Sequence, residues 1–127
     1  GLLMNTLIFI SGSVTLNVTP SNEVTVNQKV TLLCEFDSNP IVAQFNIESH
    51  FSSFCQLDRT CDSTICSSVY NASCPSDTQY NIQVTVPRSW NGVSVFCQSA
   101  ASGEKSNSIN FRVTGTLKSN RVTNRRY

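Results

Sequence analysis

The chain has few charged residues, and this low charge content excludes several classes of function. Only 13% of its 127 residues are Asp, Glu, Lys or Arg, and the formal net charge at pH 7 is +1. Soluble domains usually hold about 25% charged residues. A near-neutral chain with no patch of interleaved basic and aromatic residues has no field to attract nucleic acid. Ser, Thr and Asn supply polarity instead, which favours a glycosylated extracellular domain over a cytosolic enzyme.

The chain also lacks the residue patterns that carry catalysis or bind metals. It has no Gly-rich phosphate loop, no Cys-x-x-Cys pair of the kind that zinc sites use, and a single histidine, His50, near a predicted turn. Asp58 and Asp62 lie within "LDRTCDST" but lack the dense oxygen spacing of a calcium loop. We therefore expect no catalytic residue, no metal and no cofactor, so the sequence predicts a protein that is not an enzyme.

A hydrophobic run long enough to cross a membrane is absent too. The apolar run from Leu2 to Ile10 falls short of the about 20 residues that a spanning helix needs, so no membrane insertion of this segment is expected. Small residues follow at Ser11-Gly12-Ser13, where a signal peptidase could cut, so residues 1–13 are interpreted as a signal-peptide remnant. Residues 14–114 form the predicted domain, and residues 115–127 a polar, basic linker or tail.

Cysteine, by contrast, is plentiful. An even number of cysteines in a small chain indicates a disulfide framework and hence an oxidising compartment. We therefore expect an extracellular protein, either secreted or the ectodomain of a membrane protein. The chain has six: Cys34, Cys55, Cys61, Cys66, Cys74 and Cys97.

Apolar and polar residues alternate along much of the chain, as they do in strands with one buried face. Residues 50–78, which hold four of the cysteines, show no such alternation and are predicted to be irregular. Short alternating strands separated by turn residues predict an all-β, antiparallel β-sandwich. The alternating stretches are "VTLNV" (14–18), "EVTV" (23–26), "VTLLCEF" (30–36), "VAQFNIE" (42–48), "YNIQVTV" (80–86), "VSVFCQS" (93–99) and "INFRV" (109–113).

The stretches around Cys34 and Cys97 resemble strands B and F of the immunoglobulin superfamily, as found in divergent domains of invertebrate secreted or cell-surface proteins. The resemblance spans residues 14–114 and implies a Greek-key, immunoglobulin-like sandwich with a Cys34–Cys97 disulfide between its sheets. Two family features are missing: Phe45 stands where the core Trp of strand C is expected, and Val95 stands where strand F carries a Tyr.

The four remaining cysteines fall where the resemblance places strands C′ to D, and so imply a disulfide-rich C′–D edge. Three pairings are possible, and we favour Cys55–Cys61 with Cys66–Cys74, because near neighbours meet easily. Two Asn-x-Ser/Thr acceptor motifs are present, at Asn17 and Asn71. Because Asn71 is placed in an exposed loop, whereas Asn17 lies on a strand and its motif is followed by a proline, we expect fuller glycosylation of Asn71.

A few hydrophobic residues are candidates for binding. Leu33 and Phe96 are predicted to point to the solvent faces of their strands, where a large apolar side chain can mark an interface. The alternative is that a neighbouring strand, domain or glycan covers them. Trp90 is interpreted as a plug over one end of the sandwich, with a contact residue as the alternative. Phe51 and Phe54 are predicted to form satellite core beneath the central cysteines.

The resemblance implies a non-enzymatic recognition or adhesion module that binds a protein or glycan partner through a sheet face or loop ends. Further immunoglobulin-like or lectin domains in the parent chain would fit this interpretation. Two alternatives stay open: a secreted immune-defence effector whose disulfide-rich loop is the binding surface, and a structural spacer in a tandem array.

Overall fold

The computed structural model describes residues 13–50 and 52–115, and strands are the main regular structure in these residues. The signal-peptide remnant, the basic tail beyond Gly115 and the packing of Phe51 lie outside the described residues. One short 3-10 helix, Arg88–Trp90, accompanies ten strands. The strands are β1 (Thr15–Thr19), β2 (Glu23–Thr25), β3 (Lys29–Glu35), β4 (Ala43–Ile47), β5 (Ser53–Leu57), β6 (Val69–Ser76), β7 (Gln79–Thr85), β8 (Ser94–Ser99), β9 (Ile109–Asn110) and β10 (Arg112–Thr114).

The strands form two antiparallel sheets of four and one parallel pair. The first sheet has the order β1-β3-β7-β6, and the second sheet has the order β5-β4-β8-β9. Strands β2 and β10 run parallel, with Val24 opposite Val113. The prediction of an all-β protein with antiparallel sheets is confirmed.

The alternating stretches bury the faces that their patterns predict. One apolar cluster takes side chains from both sheets, among them Leu32 and Ile82 of the first sheet and Phe45 of the second. The Cys34–Cys97 disulfide joins β3 to β8 within this cluster, and Phe45 lies in register with Cys97 on the neighbouring strand. Because both sheets contribute buried faces and share a covalent link, they enclose a single core.

The prediction that residues 50–78 are irregular is wrong, because β5 and β6 lie within them. A register shift at Phe45/Asn46 interrupts the pairing of β5 with β4 and lets the Phe54 side chain pack against the core. Strand β6 is an edge strand with no fully buried residue, so its sequence carries no apolar alternation. Its pairing with β7 comes from backbone hydrogen bonds that side-chain patterns do not report.

The favoured pairing of the four central cysteines is also wrong. The bonds are Cys55–Cys66 and Cys61–Cys74, with Cα–Cα distances of 4.4 and 6.0 Å. Residues 58–68 cross from β5, at the edge of the second sheet, to β6, at the edge of the first. The crossing segment is therefore bonded once to each sheet. Cys55 cannot meet Cys61 easily, because β5 continues to Leu57 and carries the chain away before it turns.

Candidate recognition surface

Trp90 belongs to the interior, as the plug interpretation requires. Its ring lies 5.3 Å from that of Phe54 and 5.2 Å from that of Phe111, measured between centroids. The 3-10 helix that carries Trp90 follows Pro87 and tucks the indole between the sheets. Its side chain is buried, so Trp90 is no free contact residue.

The outer face of the first sheet is polar and carries both glycan acceptor motifs. Asn17 on β1 lies opposite Leu33 on β3, and Leu33 lies opposite Asn81 on β7. Leu33 faces outwards as predicted, but its neighbours on this face leave it only half exposed. Asn17 and Asn71 are both exposed, one on each edge strand of the sheet. A glycan on either asparagine would extend from an edge of this sheet.

The expectation that Asn71 lies in a loop is wrong, because it is part of β6. Its side-chain amide donates a hydrogen bond of 3.0 Å to Gln83 Oε1 on β7. The acceptor motif is therefore held on an ordered strand, next to a cysteine whose disulfide holds the same strand.

The outer face of the second sheet carries Phe96, and this residue is less exposed than predicted. Phe96 points away from the core cluster, as its position in the alternation of β8 requires. Only 9% of it is accessible, however, and the Lys105 ammonium lies 5.2 Å from its ring centroid. A cation over an aromatic face is a favourable arrangement. The expectation of a free apolar contact at Phe96 is wrong, because polar neighbours cover the ring.

Around Phe96 the second sheet forms an open depression of about 610 Å³. Four side-chain amides and four serine hydroxyls line it, and within the described part of the chain no partner hydrogen-bonds the amides of Gln44 and Gln56. Asn46, at the centre, is held by Ser53, whose hydroxyl donates to Asn46 Oδ1 at 2.6 Å. The depression is lined by Gln44, Asn46, Glu48, His50, Ser52, Ser53, Gln56, Phe96, Gln98, Lys105, Ser106 and Ser108.

Fixed polar groups and free ones thus share this depression. Gln98 accepts from Asn46 Nδ2 at 3.4 Å and donates to the Gly103 carbonyl at 3.0 Å. The Ser106 hydroxyl accepts from the Cys97 amide, which fixes the β8–β9 connection at its border. The uncharged amides and hydroxyls of the depression can both donate and accept hydrogen bonds. Glu48 and Lys105 add one charge of each sign to its lining.

A smaller depression of about 310 Å³ adjoins the first, and Gln56 lines both. Val42 and Ile65 supply its apolar surface, and Asp58 and Asp62 supply carboxylates. Ile65 is 86% exposed, and Ile41, next to Val42, is 65% exposed. Sequence reasoning missed both isoleucines. The available signal was an isolated large apolar residue in a polar setting, as in "CDSTICSS".

The two aspartates hold turns and have no partner suited to catalysis. Asp58 Oδ1 accepts the Thr60 amide at 2.9 Å, and Asp62 Oδ1 accepts the Thr64 amide at 2.9 Å. Hydrogen bonds from Thr60, the side-chain hydroxyl first, lower the pKa of Asp58. The Thr64 backbone amide is the main cause that lowers the pKa of Asp62. Both carboxylates are therefore ionised at neutral pH.

Two searches of residues 13–50 and 52–115 were negative. No group of three or more His, Cys, Asp or Glu side chains in these ranges is placed to hold a metal ion. None of the helical residues described there forms a helix long and apolar enough to span a bilayer.

Comparison of the chain with known proteins identifies no relative from which a function could be inferred. No protein-family model matches it, and neither does any curated protein.

Proposed function

We propose that this chain is an extracellular, non-enzymatic recognition module with an immunoglobulin-like fold, and that it binds its partner through the outer face of the second sheet. The observation that carries the proposal is the amide-lined depression around Phe96. It is the larger concave surface of the two described above, and it presents the side-chain amides of Gln44 and Gln56, which have no hydrogen-bond partner among the described residues.

The strand order supports the immunoglobulin-like part of the proposal. In that fold, one sheet has the order ABED and the other contains strands C, F and G, to which variable-type domains add C′. The orders β1-β3-β7-β6 and β5-β4-β8-β9 match these sheets if β3 is strand B and β8 is strand F. The disulfide between β3 and β8 occupies the position of the inter-sheet bond.

The disulfides support the extracellular part. All six cysteines are bonded, and bonds of this kind persist in oxidising compartments. Two of them hold a segment that buries little apolar surface. A domain that relies on cross-links in this way would lose the order of that segment in a reducing cytosol.

The positions of the acceptor motifs favour the second sheet over the first as the binding face. Glycans on Asn17 and Asn71 would cover the first sheet from both edges. The second sheet carries no acceptor motif on its strands, so its outer face stays open to a partner. The polar, near-neutral floor fits a protein surface or a glycan better than a strongly charged ligand.

The experiment is a binding screen with the secreted, disulfide-intact protein, tetramerised to raise its avidity. It is applied to an array of recombinant extracellular domains and to a glycan array. We expect at least one ligand whose binding is abolished by Gln44→Arg combined with Gln56→Arg, because two long cations then occupy the amide floor. Both glutamine side chains point outwards, so the variant should fold.

The matched control is Asn81→Arg combined with Thr31→Arg on the outer face of the first sheet. These changes add the same charge on outward-facing strand positions. Binding should persist in this variant. Ligands that are lost with the first-sheet variant but retained with the second-sheet variant would overturn the assignment of the binding face.

A further inference from the structure

Two isoleucines project from one end of the molecule, and nothing in the described structure covers them. This end, which we call the loop end, is made of the connections β3–β4, β5–β6, β6–β7 and β8–β9. Hydrogen bonds join these connections directly. The Ala101 amide donates to the Pro40 carbonyl, the Phe36 amide donates to the Thr78 carbonyl, and the Arg59 guanidinium donates to the Ser76 carbonyl.

Ile41 is held outwards by a strained backbone. Its φ is 67°, in the left-handed region that β-branched residues avoid. The Val42 amide donates to the Pro40 carbonyl at 2.7 Å, and the Ile41 amide donates to Asn39 Oδ1 at 2.9 Å. Backbone strain of this kind persists only where the surroundings enforce it, and here it directs an apolar side chain into water.

Ile65 is fixed in a different way, by covalent bonds on both sides of it. It precedes Cys66, which is bonded to Cys55 on β5, and it follows Cys61, which is bonded to Cys74 on β6. The loop around it therefore keeps its shape without burying the isoleucine. An apolar side chain presented on a preorganised loop loses little conformational entropy when a partner covers it.

The charges at the loop end are strongly unbalanced. It carries two basic side chains, and both are engaged: Arg59 with backbone carbonyls and the face of Tyr80, and Lys105 with the face of Phe96. The opposite end has Lys29, Arg88 and Arg112 against Glu23 and Glu48. Six of the eight acidic residues of the chain lie at the loop end: Glu35, Asp37, Asp58, Asp62, Asp77 and Glu104.

We propose that the surface formed by Ile65, Val42, Asp58 and Asp62 docks a protein segment in which a Lys or Arg stands beside a large apolar residue. The apolar side chain would cover Ile65 and Val42, and the cation would lie between the two carboxylates. Charge complementarity selects this occupant, because the acidic end would repel acidic segments and sialylated or sulfated glycans. A fixed apolar contact inside a charged rim is the arrangement of a binding hot spot.

This docking surface rests on the proposed function, in which a partner binds the outer face of the second sheet. It specifies the chemistry of the partner segment that lies at one border of that face. Gln56 lines both depressions, so a partner on the second sheet reaches Ile65 without leaving the surface. The residues tested are different, however. Gln44 lines only the larger depression, whereas Ile65, Asp58 and Asp62 line only the smaller one, so the two proposals can fail separately.

The experiment selects peptides from a displayed random library on the disulfide-intact protein, after depletion on the variant Ile65→Ser/Asp58→Ser/Asp62→Ser, which removes both carboxylates without creating an Asn-x-Ser/Thr acceptor motif. The Ser hydroxyl can make the same turn hydrogen bonds as Asp, although more weakly, and Ile65 is almost fully exposed, so the variant should melt close to the wild-type temperature. We expect enriched peptides with Lys or Arg next to a large apolar residue. Their affinity should fall at least tenfold in the variant and weaken as salt is raised.

Several outcomes would overturn the proposal. Enriched peptides without a basic residue would exclude the partner class, and peptides that bind wild type and variant equally would exclude the site. The matched control is Thr15→Asn, on the first sheet, which should leave peptide binding unchanged. Sedimentation of the protein alone is the remaining check: self-association that Ile65→Ser abolishes would make a second copy the occupant instead.

Discussion

The core and the segment 58–76, which crosses from β5 and forms β6, are ordered by different forces. Leu32, Phe45 and Ile82 are buried completely, and each is covered by side chains from both sheets. In β6 no residue is fully buried, and Tyr70 is 48% exposed. Burial of apolar surface stabilises the core. Two disulfides, the Asp58 and Asp62 turns and the backbone ladder to β7 hold the segment where burial contributes little.

A small domain can therefore keep a rigid surface that is not hydrophobic. A segment that had to bury its own side chains could not present Ile65 and two carboxylates to solvent. Cross-links order a chain by reducing the entropy of its unfolded state, and they place no demand on which side chains are exposed. The disulfide-rich segment is therefore the part of the molecule with most freedom to carry a binding surface.

The largest expected effect is the loss of a core aromatic ring. Phe45→Ala should lower the free energy of unfolding by about 3–5 kcal/mol, because it leaves a cavity that the surroundings fill only in part. Tyr70→Ala, an aromatic deletion in β6, should lower it by only about 1 kcal/mol, because the ring is half exposed and its main contact is the Lys29 ammonium 4.8 Å from its centroid. Thermal or urea unfolding of the two variants measures both. Equal losses of unfolding free energy in the two variants would show that burial stabilises β6 as much as it stabilises the core.

Removing a disulfide from the segment should act locally. On the chain-entropy model, Cys61→Ser with Cys74→Ser should cost about 3 kcal/mol at most, given the 13-residue separation of the two cysteines. Hydrogen exchange should accelerate at the Cys66 and Ser67 amides, while amides of β3 and β7 keep their protection. The same change at Cys34 and Cys97 should accelerate exchange in both sheets. A global loss from the first pair would show that the segment and the core unfold together.

A smaller effect is expected from a single asparagine that substitutes for a missing strand. Asn107 accepts from the Leu16 amide at 2.9 Å and donates to the Leu16 carbonyl at 3.0 Å, which satisfies the outer edge of β1. Asn107→Ala should cost about 1–2 kcal/mol, as expected for two hydrogen bonds. The control is Asn110→Ala. Asn110 is also exposed, but its side-chain amide donates hydrogen bonds to Gly92 and Ser94, away from β1. Exchange of the Leu16 amide should accelerate only in the first variant.

The smallest effect concerns the titration of Asp58. Its pKa lies below the ordinary value of an aspartate because the folded turn donates hydrogen bonds to the carboxylate, chiefly from the Thr60 side chain. The ionised form is thus favoured in the folded state, and this contribution is present above the unfolded pKa and lost as pH falls through the folded one. In Thr60→Val the pKa of Asp58 should rise, while that of Asp62 should move little. NMR titration of the carboxyl carbons measures both pKa values. An unchanged pKa of Asp58 in the variant would show that the Thr60 hydroxyl does not stabilise the carboxylate.

Sequence patterns were sufficient to predict the strands that bury one face against the core. The alternation around Leu32, Phe45 and Ile82 identified β3, β4 and β7, because a strand with one buried face must repeat every second residue. The position of Phe45 beside Cys97 also followed from the pattern together with the resemblance. By contrast, β6 has no fully buried residue, and Val69, Ala72 and Cys74 are only partly buried against the core. Its pairing with β7 depends on backbone hydrogen bonds that leave no trace in side-chain type.

Sequence patterns alone establish the all-β class, the inward faces of the central strands and the cross-linked, charge-poor character of the chain. The pairing of the central cysteines depends instead on the three-dimensional arrangement, since Cys55 and Cys61 are neighbours in sequence while the strand end between them separates them in space. That arrangement alone decides that Lys105 covers Phe96 and that Ile65 stays uncovered. Exposure depends on what other segments bring alongside a residue, and local alternation carries no information about those segments.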